Sequence, residues 1–207
     1  VTQSRPPFWV WNASLNHLYM SSYHLSQSFI PFYLDALERY EVKYIYGYSS
    51  ALYSLAQEGL LLGRKGKKMT VAITNAEPLY PYQRASIEKF FQCRVQETYG
   101  MAEEVTAASQ CKAGQLHIWP EIGWLEIMNE NKVVSDYSSG EFMCTGLLNL
   151  DMPLIRYRVG DRGALQREIN PCSCGRNMPI LARVEGRTDD VLHTKDGRPI
   201  GRLDPVF

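Results

Sequence analysis

The sequence has no long apolar run. Nothing in it approaches the roughly 18 consecutive apolar residues that a membrane-spanning helix needs, so no membrane partner is expected. It has no excess of charge either: Lys and Arg number 22, Asp and Glu number 22, and the net charge is zero. That balance argues against nucleic acid, or an anionic membrane surface, as the main partner. Cysteine is scarce: five residues, an odd number without framework spacing, which suits reduced thiols in a cytoplasmic protein better than a disulfide scaffold. A charged-then-apolar leader, an internal repeat and a low-complexity stretch are all lacking. So is an initiator methionine, and the last residues, Asp204-Pro205-Val206-Phe207, carry no stop signal. A central fragment of a longer polypeptide is therefore expected.

What is present describes a globular chain. Hydrophobic residues make up 45% of the 207 and aromatic residues 12%, spread along the whole length, which excludes disorder and allows one large domain or two small ones. The first 29 residues are aromatic and polar without a clear period and read as an irregular or edge segment. Beyond them Ile30, Leu34, Leu37 and Tyr40 recur at helical spacing. A β-branched and aromatic strand over 42–48 follows, and then a helix capped by Ser49 or Ser50 with Leu52, Leu55, Ala56 and Leu60 on one face. A strand over 69–74, a helix over 82–91 and a strand over 94–99 complete the alternation. Strands alternating with helices predict an α/β fold, a parallel βαβ sheet whose ligands bind beyond the carboxyl ends of the strands. After His117 short strands separated by Gly, Asn and Asp turns predict a small antiparallel β subdomain. The expected division is 1–122 for the sheet portion, 123–185 for the β subdomain and 186–207 for a hinge region.

Three segments carry residues suited to chemistry. Tyr99-Gly100-Met101-Ala102-Glu103 places a ring and a carboxylate at a strand end, where a purine and a metal-bound phosphate would suit them. The plainer reading is a strand-end aromatic followed by an acid opening a helix. Arg156-Tyr157-Arg158-Val159-Gly160-Asp161 ends in a carboxylate able to accept from two vicinal hydroxyls, or is an ordinary Gly-Asp turn. Gly186-Arg187-Thr188-Asp189 and Asp196-Gly197-Arg198 read as a turn and hairpin. Cys111, His117, Cys172 and Cys174 form a further constellation. Two cysteines one residue apart, with a Cys and a His from another turn, supply the four N and S ligands of a structural Zn²⁺. Small buried thiols and a histidine satisfied by a backbone carbonyl are the alternative. Cys93 and Cys144 read as core, and the rings of Tyr44, Tyr46 and Tyr48 as mostly packing on one strand face.

In their order and separation the three segments resemble the signatures of the adenylate-forming (acyl- or aryl-CoA synthetase) superfamily: tyrosine-glycine-x-x-glutamate, tyrosine-arginine-x-glycine-aspartate and arginine-x-aspartate. Asn75-Ala76-Glu77-Pro78-Leu79 and Cys172-Ser173-Cys174-Gly175-Arg176 are similar to the phenylacetate–CoA ligase branch and its capsule-biosynthesis relatives. The resemblance implies the large domain of an AMP-forming carboxylate ligase that takes ATP, Mg²⁺, a small acid and coenzyme A. It implies that Tyr99, after which Gly100 turns the backbone, stacks on adenine, and that Asn75, Ala76 and Glu77 line the base. It further implies that Glu103 is catalytic and holds Mg²⁺, that Asp161 grips the ribose with Arg187 nearby, and that Asp189 is the hinge of a C-terminal lid. Some members of the branch carry the zinc that Cys111, His117, Cys172 and Cys174 suggest. Large rings around Tyr46-Gly47-Tyr48, where relatives line the acyl pocket, imply an aryl or small acid.

The departures from the pattern are equally specific. Ala102 stands where the family has Thr or Ser, and no Gly/Ser/Thr-rich phosphate loop with Lys is found. This chain is therefore expected not to catalyse adenylation unaided. A non-catalytic homologue that binds nucleotide or acyl groups, or serves capsule assembly, is the alternative function, and an acceptor other than coenzyme A is a further one. Trp9 and Trp11 offer a patch for self-association, so a homodimer stays open.

Overall fold

The computed structural model describes residues 4–134, 138–166 and 172–187, with the backbone of 192–193 and 199–200. The chain divides into two compact units, Val1–Gln96 and a second that begins at Glu97.

The first unit opens with a hairpin, β1 (Trp9–Asn12) and β2 (His17–Met20), paired antiparallel with Trp9 opposite Met20. Of the two expectations for this segment, irregular or edge, the irregular one is corrected. Aromatic residues on both faces hide the two-residue period, but the turn is marked: Leu15 N donates to Asn12 Oδ1 and Asn16 sits at φ 53°, a left-handed position that Asn tolerates. The hairpin packs by its rings, Trp9 edge-on to Tyr33 and Trp11 stacked on Tyr40. His24, for which the sequence offered no partner, stacks on Phe8 and meets Ser21 Oγ at 2.9 Å.

The alternation then runs as the periodicity predicts: α1 (Ile30–Arg39), β3 (Tyr44–Tyr48), α2 (Ser49–Leu61), β4 (Val71–Asn75) and α3 (Pro81–Phe91). Proline in the first turn starts α1 and α3, where its missing N–H costs nothing. β3 and β4 are parallel, Tyr44 opposite Val71 through Tyr48 opposite Asn75. One core gathers Ile30, Leu37, Ala56, Ile87 and Phe91, all nearly inaccessible. The three tyrosines of β3 are not packed: Tyr44 and Tyr46 are 63% and 65% exposed and Tyr48 49%, because only Ile45 and Gly47 turn inward.

β5 (Arg94–Gly100) leads into the second unit, which continues with β6 (Ala107–Gln110), β7 (Leu116–Ile118), β8 (Gly123–Asn129), β9 (Lys132–Val133), β10 (Gly140–Gly146), β11 (Tyr157–Gln166) and β12 (Ile180–Arg187). The strands lie in the order β5-β6-β7-β12-β11-β10-β8-β9, antiparallel throughout. Antiparallel pairing therefore begins at Ala107, earlier than the expected change after His117. A separate core forms around Phe142, Ile127, Val105, Leu181 and Cys144. β13 (Leu192–His193) and β14 (Pro199–Ile200) form a short antiparallel pair. The result is the expected α/β fold with a mixed sheet and an antiparallel section. Among the described residues no helix is long and apolar enough to cross a membrane.

Candidate functional site

Tyr99 lies near the end of β5, opposite Ala108 of β6, with its ring edge-on to the buried Phe142 at 5.6 Å. Its hydroxyl donates to Asp161 Oδ2 at 2.6 Å. Burial, and then the hydrogen bond and negative charge of Asp161, hold that hydroxyl protonated far above the usual tyrosine range. Asp161 follows Gly160 in β11, and Gly160 takes φ +83°, which favours glycine. A Cβ at residue 160 would also sit 3.1 Å from Arg187 Nη2. Arg187 pairs across strands with Asp161 and donates through Nη1 to Val159 O at 3.4 Å. A ring, a carboxylate and a guanidinium are thus brought together by three strands.

Glu103 occupies the turn after β5, closed by Glu104 N donating to Met101 O at 3.1 Å. Its Oε1 accepts from Tyr157 Oη at 3.2 Å. Tyr157 opens β11 four residues before Asp161. Tyr157 stands inside the tyrosine-arginine-x-glycine-aspartate motif, whose implied roles do not include it; its hydroxyl is the signal in the sequence.

Asn75, Ala76 and Glu77 belong to the first unit. Asn75 Nδ2 donates to Tyr46 Oη at 2.8 Å, and its Oδ1 is buried with no hydrogen-bond partner among the described residues. Ala76 takes φ 61°, a left-handed conformation that costs a non-glycine residue about 1 kcal/mol. Glu77 caps α2: Ser50 N donates to Oε2 at 2.8 Å and Ser50 Oγ to Oε1 at 3.0 Å. A carboxylate on the first helical amides meets both an unfilled donor and the helix dipole. Glu77→Ala is expected to cost about 1–2 kcal/mol, a fall in Tm of roughly 2–8 °C for a chain of this size, read by thermal unfolding. An unchanged Tm would show the cap to be inert.

The second cluster is built on two turns of one shape. Cys111 starts a turn in which Gly114 N donates back to Cys111 O, and Cys172 starts one in which Gly175 N donates to Cys172 O. Both glycines take positive φ, +83° and +87°. The turns and β7 bring Cys111, His117, Cys172 and Cys174 together with their ligand atoms all within 4.8 Å of one another. Cys111 Sγ lies 3.7 Å from Cys172 Sγ, and Cys174 Sγ lies 3.5 Å from His117 Nε2. His117 is fully buried and its Nδ1 faces Met178 O at 3.4 Å. Burial pushes the Cys111 thiol up, but backbone N–H groups of Ala113 and Gln115 and the Cys174 and Cys172 thiols outweigh it, bringing the group down to about 6. Cys144, by contrast, is buried in the core, where burial and then the charge of Asp161 push its thiol up to about 12. Asp189 lies outside the described residues.

No family model matches the chain. Among characterised proteins it is 27% identical to protein CapK of Staphylococcus aureus over 197 residues, 95% of this chain and 42% of that protein. It is 34% identical to a phenylacetate–coenzyme A ligase of Aromatoleum evansii over 131 residues, 60% of this chain and 28% of the ligase. The chain thus spans less than half the length of these relatives. Its fold superposes on a 2-hydroxyisobutyryl-CoA ligase in complex with an acyl-AMP with a TM-score of 0.70 at 21% identity, covering 87% of this chain and 39% of that one. For the O-succinylbenzoate coenzyme A synthetase of Bacillus subtilis, in complex with ATP and magnesium, the TM-score is 0.53 at 18% identity, over 83% and 37%. In sequence the chain is thus similar to CapK and to phenylacetate–coenzyme A ligases, and its fold is shared with CoA ligases.

Proposed function

We propose that this chain supplies the adenosine-holding part of an AMP-forming carboxylate ligase. The observation that supports the reading is the contact of Tyr99 with Asp161 at 2.6 Å, with Arg187 paired beside it. Asp161 keeps acceptor capacity for a vicinal diol after receiving the Tyr99 hydroxyl, since a carboxylate offers about four lone-pair sites. Tyr99 presents a ring for the base. In the first unit, taken by itself, Asn75 Oδ1 is a buried acceptor with no hydrogen-bond partner among the described residues, which suits an amine donor.

In the reaction of such a ligase an acid's carboxylate oxygen attacks the α-phosphorus of ATP, and pyrophosphate leaves. A thiol, coenzyme A in the ligases named for it, then attacks the acyl carbon and AMP leaves. The protein's share is positioning and charge neutralisation. Mg²⁺ is bound in such sites by one or two carboxylates together with substrate phosphates, and Glu103, with Oε2 uncommitted by any described hydrogen bond to a side chain, fits that donor set. When bound, the ion spreads the charge developing on the phosphates. An aryl acid is favoured by the exposed rings of Tyr46 and Tyr48.

The Cys111–His117–Cys172–Cys174 cluster fits a structural zinc. At Zn–S bonds of about 2.3 Å a tetrahedral edge between two sulfurs is about 3.8 Å, and the Cys111–Cys172 separation is 3.7 Å. Were Nε2 to hold a metal, the Nδ1–H of His117 would donate to the Met178 carbonyl, 3.4 Å away, and fix the tautomer. Four protein ligands leave no open position, so the metal's part is structural.

Calorimetric titration with AMP, and with ATP plus Mg²⁺, tests the nucleotide reading. The expected result is saturable binding of both without ATP–pyrophosphate exchange. Absence of binding by the folded chain overturns it. The second reading, a homologue that binds without catalysis, draws on exposed Ala102, which offers no hydroxyl where the resemblance implies Thr or Ser. Exchange activity in the longer polypeptide would exclude that reading.

A further inference from the structure

Two segments of the second unit exchange hydroxyls. The β5 end and its turn hold Tyr99 and Glu103; the start of β11 holds Tyr157 and Asp161. Tyrosine and carboxylate are four residues apart in each segment. Tyr99 reaches Asp161, and Tyr157 reaches Glu103. Every pair therefore has its donor on one segment and its acceptor on the other.

The partners differ in how much the backbone already fixes them. Asp161 stands within a paired strand, opposite Arg187. Glu103 stands in a turn, on a side chain with three rotatable bonds whose ordering costs conformational entropy. Tyr157 is anchored at both ends of its own environment: its backbone pairs with Cys144 of β10, and its ring packs on the second core. A tyrosine carries only two side-chain torsions, so its hydroxyl is placed by the sheet. The Glu103 carboxylate in turn holds that hydroxyl protonated above its ordinary range, first by the hydrogen bond and then by charge.

We propose that Tyr157 is a positioning residue, whose hydroxyl takes Oε1 of Glu103 and so aims Oε2 at a divalent cation carried by the nucleotide's phosphates. The proposal rests on the nucleotide reading above. It assigns the two tyrosine hydroxyls separate duties: Tyr157 serves the metal-facing carboxylate, and Tyr99 serves the sugar-facing one. A ligand fills the site with less ordering cost when its protein partners are already oriented.

Binding of ATP to the zinc-loaded 207-residue chain is measured across a Mg²⁺ series and in chelator, and AMP is compared with 2′-deoxy-AMP. Tyr157→Phe keeps the ring and the core. It is expected to raise the half-saturating Mg²⁺ concentration by about fivefold or more, leaving metal-free AMP affinity within about twofold of the parent. Tyr99→Phe is expected to do the reverse, narrowing the preference for AMP over its 2′-deoxy form by roughly fivefold with the Mg²⁺ dependence unchanged. In a Glu103→Gln background, Tyr157→Phe should have no further effect on the Mg²⁺ series, because the route of action is gone. Equal weakening of AMP and of Mg²⁺-dependent ATP binding by Tyr157→Phe would mean a merely structural role and overturn the proposal. So would an unchanged Mg²⁺ series, or an undiminished Tyr157→Phe effect without the Glu103 charge. A parent chain that binds neither AMP nor ATP would instead remove the nucleotide reading, and this inference with it.

Discussion

Protein purified without added zinc is expected to carry about one equivalent of the metal per chain, and Cys174→Ser is expected to carry little or none. Cys174 faces His117 at 3.5 Å and also accepts from Arg176 N, so its loss opens the ligand set and its turn together. The cluster joins two loops far apart in sequence, and its histidine is wholly buried. Without a metal, three thiols and an imidazole would have to satisfy one another. Loss of a structural metal ranks among the largest single effects on stability. A cost of about 3 kcal/mol or more is expected, which lowers Tm by roughly 6–12 °C in a chain of this size. A chelator strong enough to strip the site should reproduce that loss in the parent and leave Cys174→Ser unmoved. Cys144→Ala is the control: it trims the core without touching the cluster, so it should lose stability while keeping full metal content. Metal content below a tenth of an equivalent in the parent, measured by elemental analysis, would remove the zinc reading. The buried Cys111 and His117, with half-buried Cys172 and Cys174, would then be the packing that the alternative describes.

The sequence shows where the helices are and how the cluster is composed, but it hides several contacts, for identifiable reasons. Helical spacing survives in Ile30, Leu34 and Leu37 because one face of α1 enters the core and the other meets water. The same logic fails in β1 and β2, where Trp9, Trp11 and Tyr19 place rings on both faces and the alternation disappears. β6, β7 and β12 escaped the strand reading because they are short or follow a glycine- and cysteine-rich turn. The alternation of Tyr44, Tyr46 and Tyr48 suggests packed rings on one face of β3, yet that face is open, since a period of two specifies which side a ring takes and not what covers it. The resemblance brings Tyr99 and Asp161 to one adenosine, but it does not give their direct hydrogen bond. That they touch depends on β11 lying beside β12 and β10, with shifts of register in both ladders, and those follow from tertiary pairing. The cysteines were legible because their chemistry is local: a Cys-x-x-Gly turn occurs twice, and each needs its glycine at positive φ.

The sharpest test of the nucleotide reading is Asp161→Ala, which is expected to reduce AMP affinity about 100-fold. Two ribose hydroxyls donating to a charged acceptor contribute roughly 3 kcal/mol together, and each 1.4 kcal/mol is tenfold in affinity. The same substitution strands the Tyr99 hydroxyl, half-buried beside Phe142, without its acceptor, at a cost of about 1–3 kcal/mol to the fold. Lost binding by Asp161→Ala could therefore report a loosened sheet, so Asp161→Asn is the variant that separates the causes. An asparagine keeps a carbonyl oxygen for Tyr99 and gives up the charge and one acceptor, so stability should fall by less than in Asp161→Ala. AMP affinity should still fall about tenfold or more. 2′,3′-Dideoxy-AMP supplies the complementary measurement, since without hydroxyls it should bind the parent and both variants alike. Asp161→Asn binding AMP as tightly as the parent, with its Tm intact, would place the ribose elsewhere. Dideoxy-AMP binding the parent as well as AMP does would lead to the same conclusion by a route that does not involve mutation.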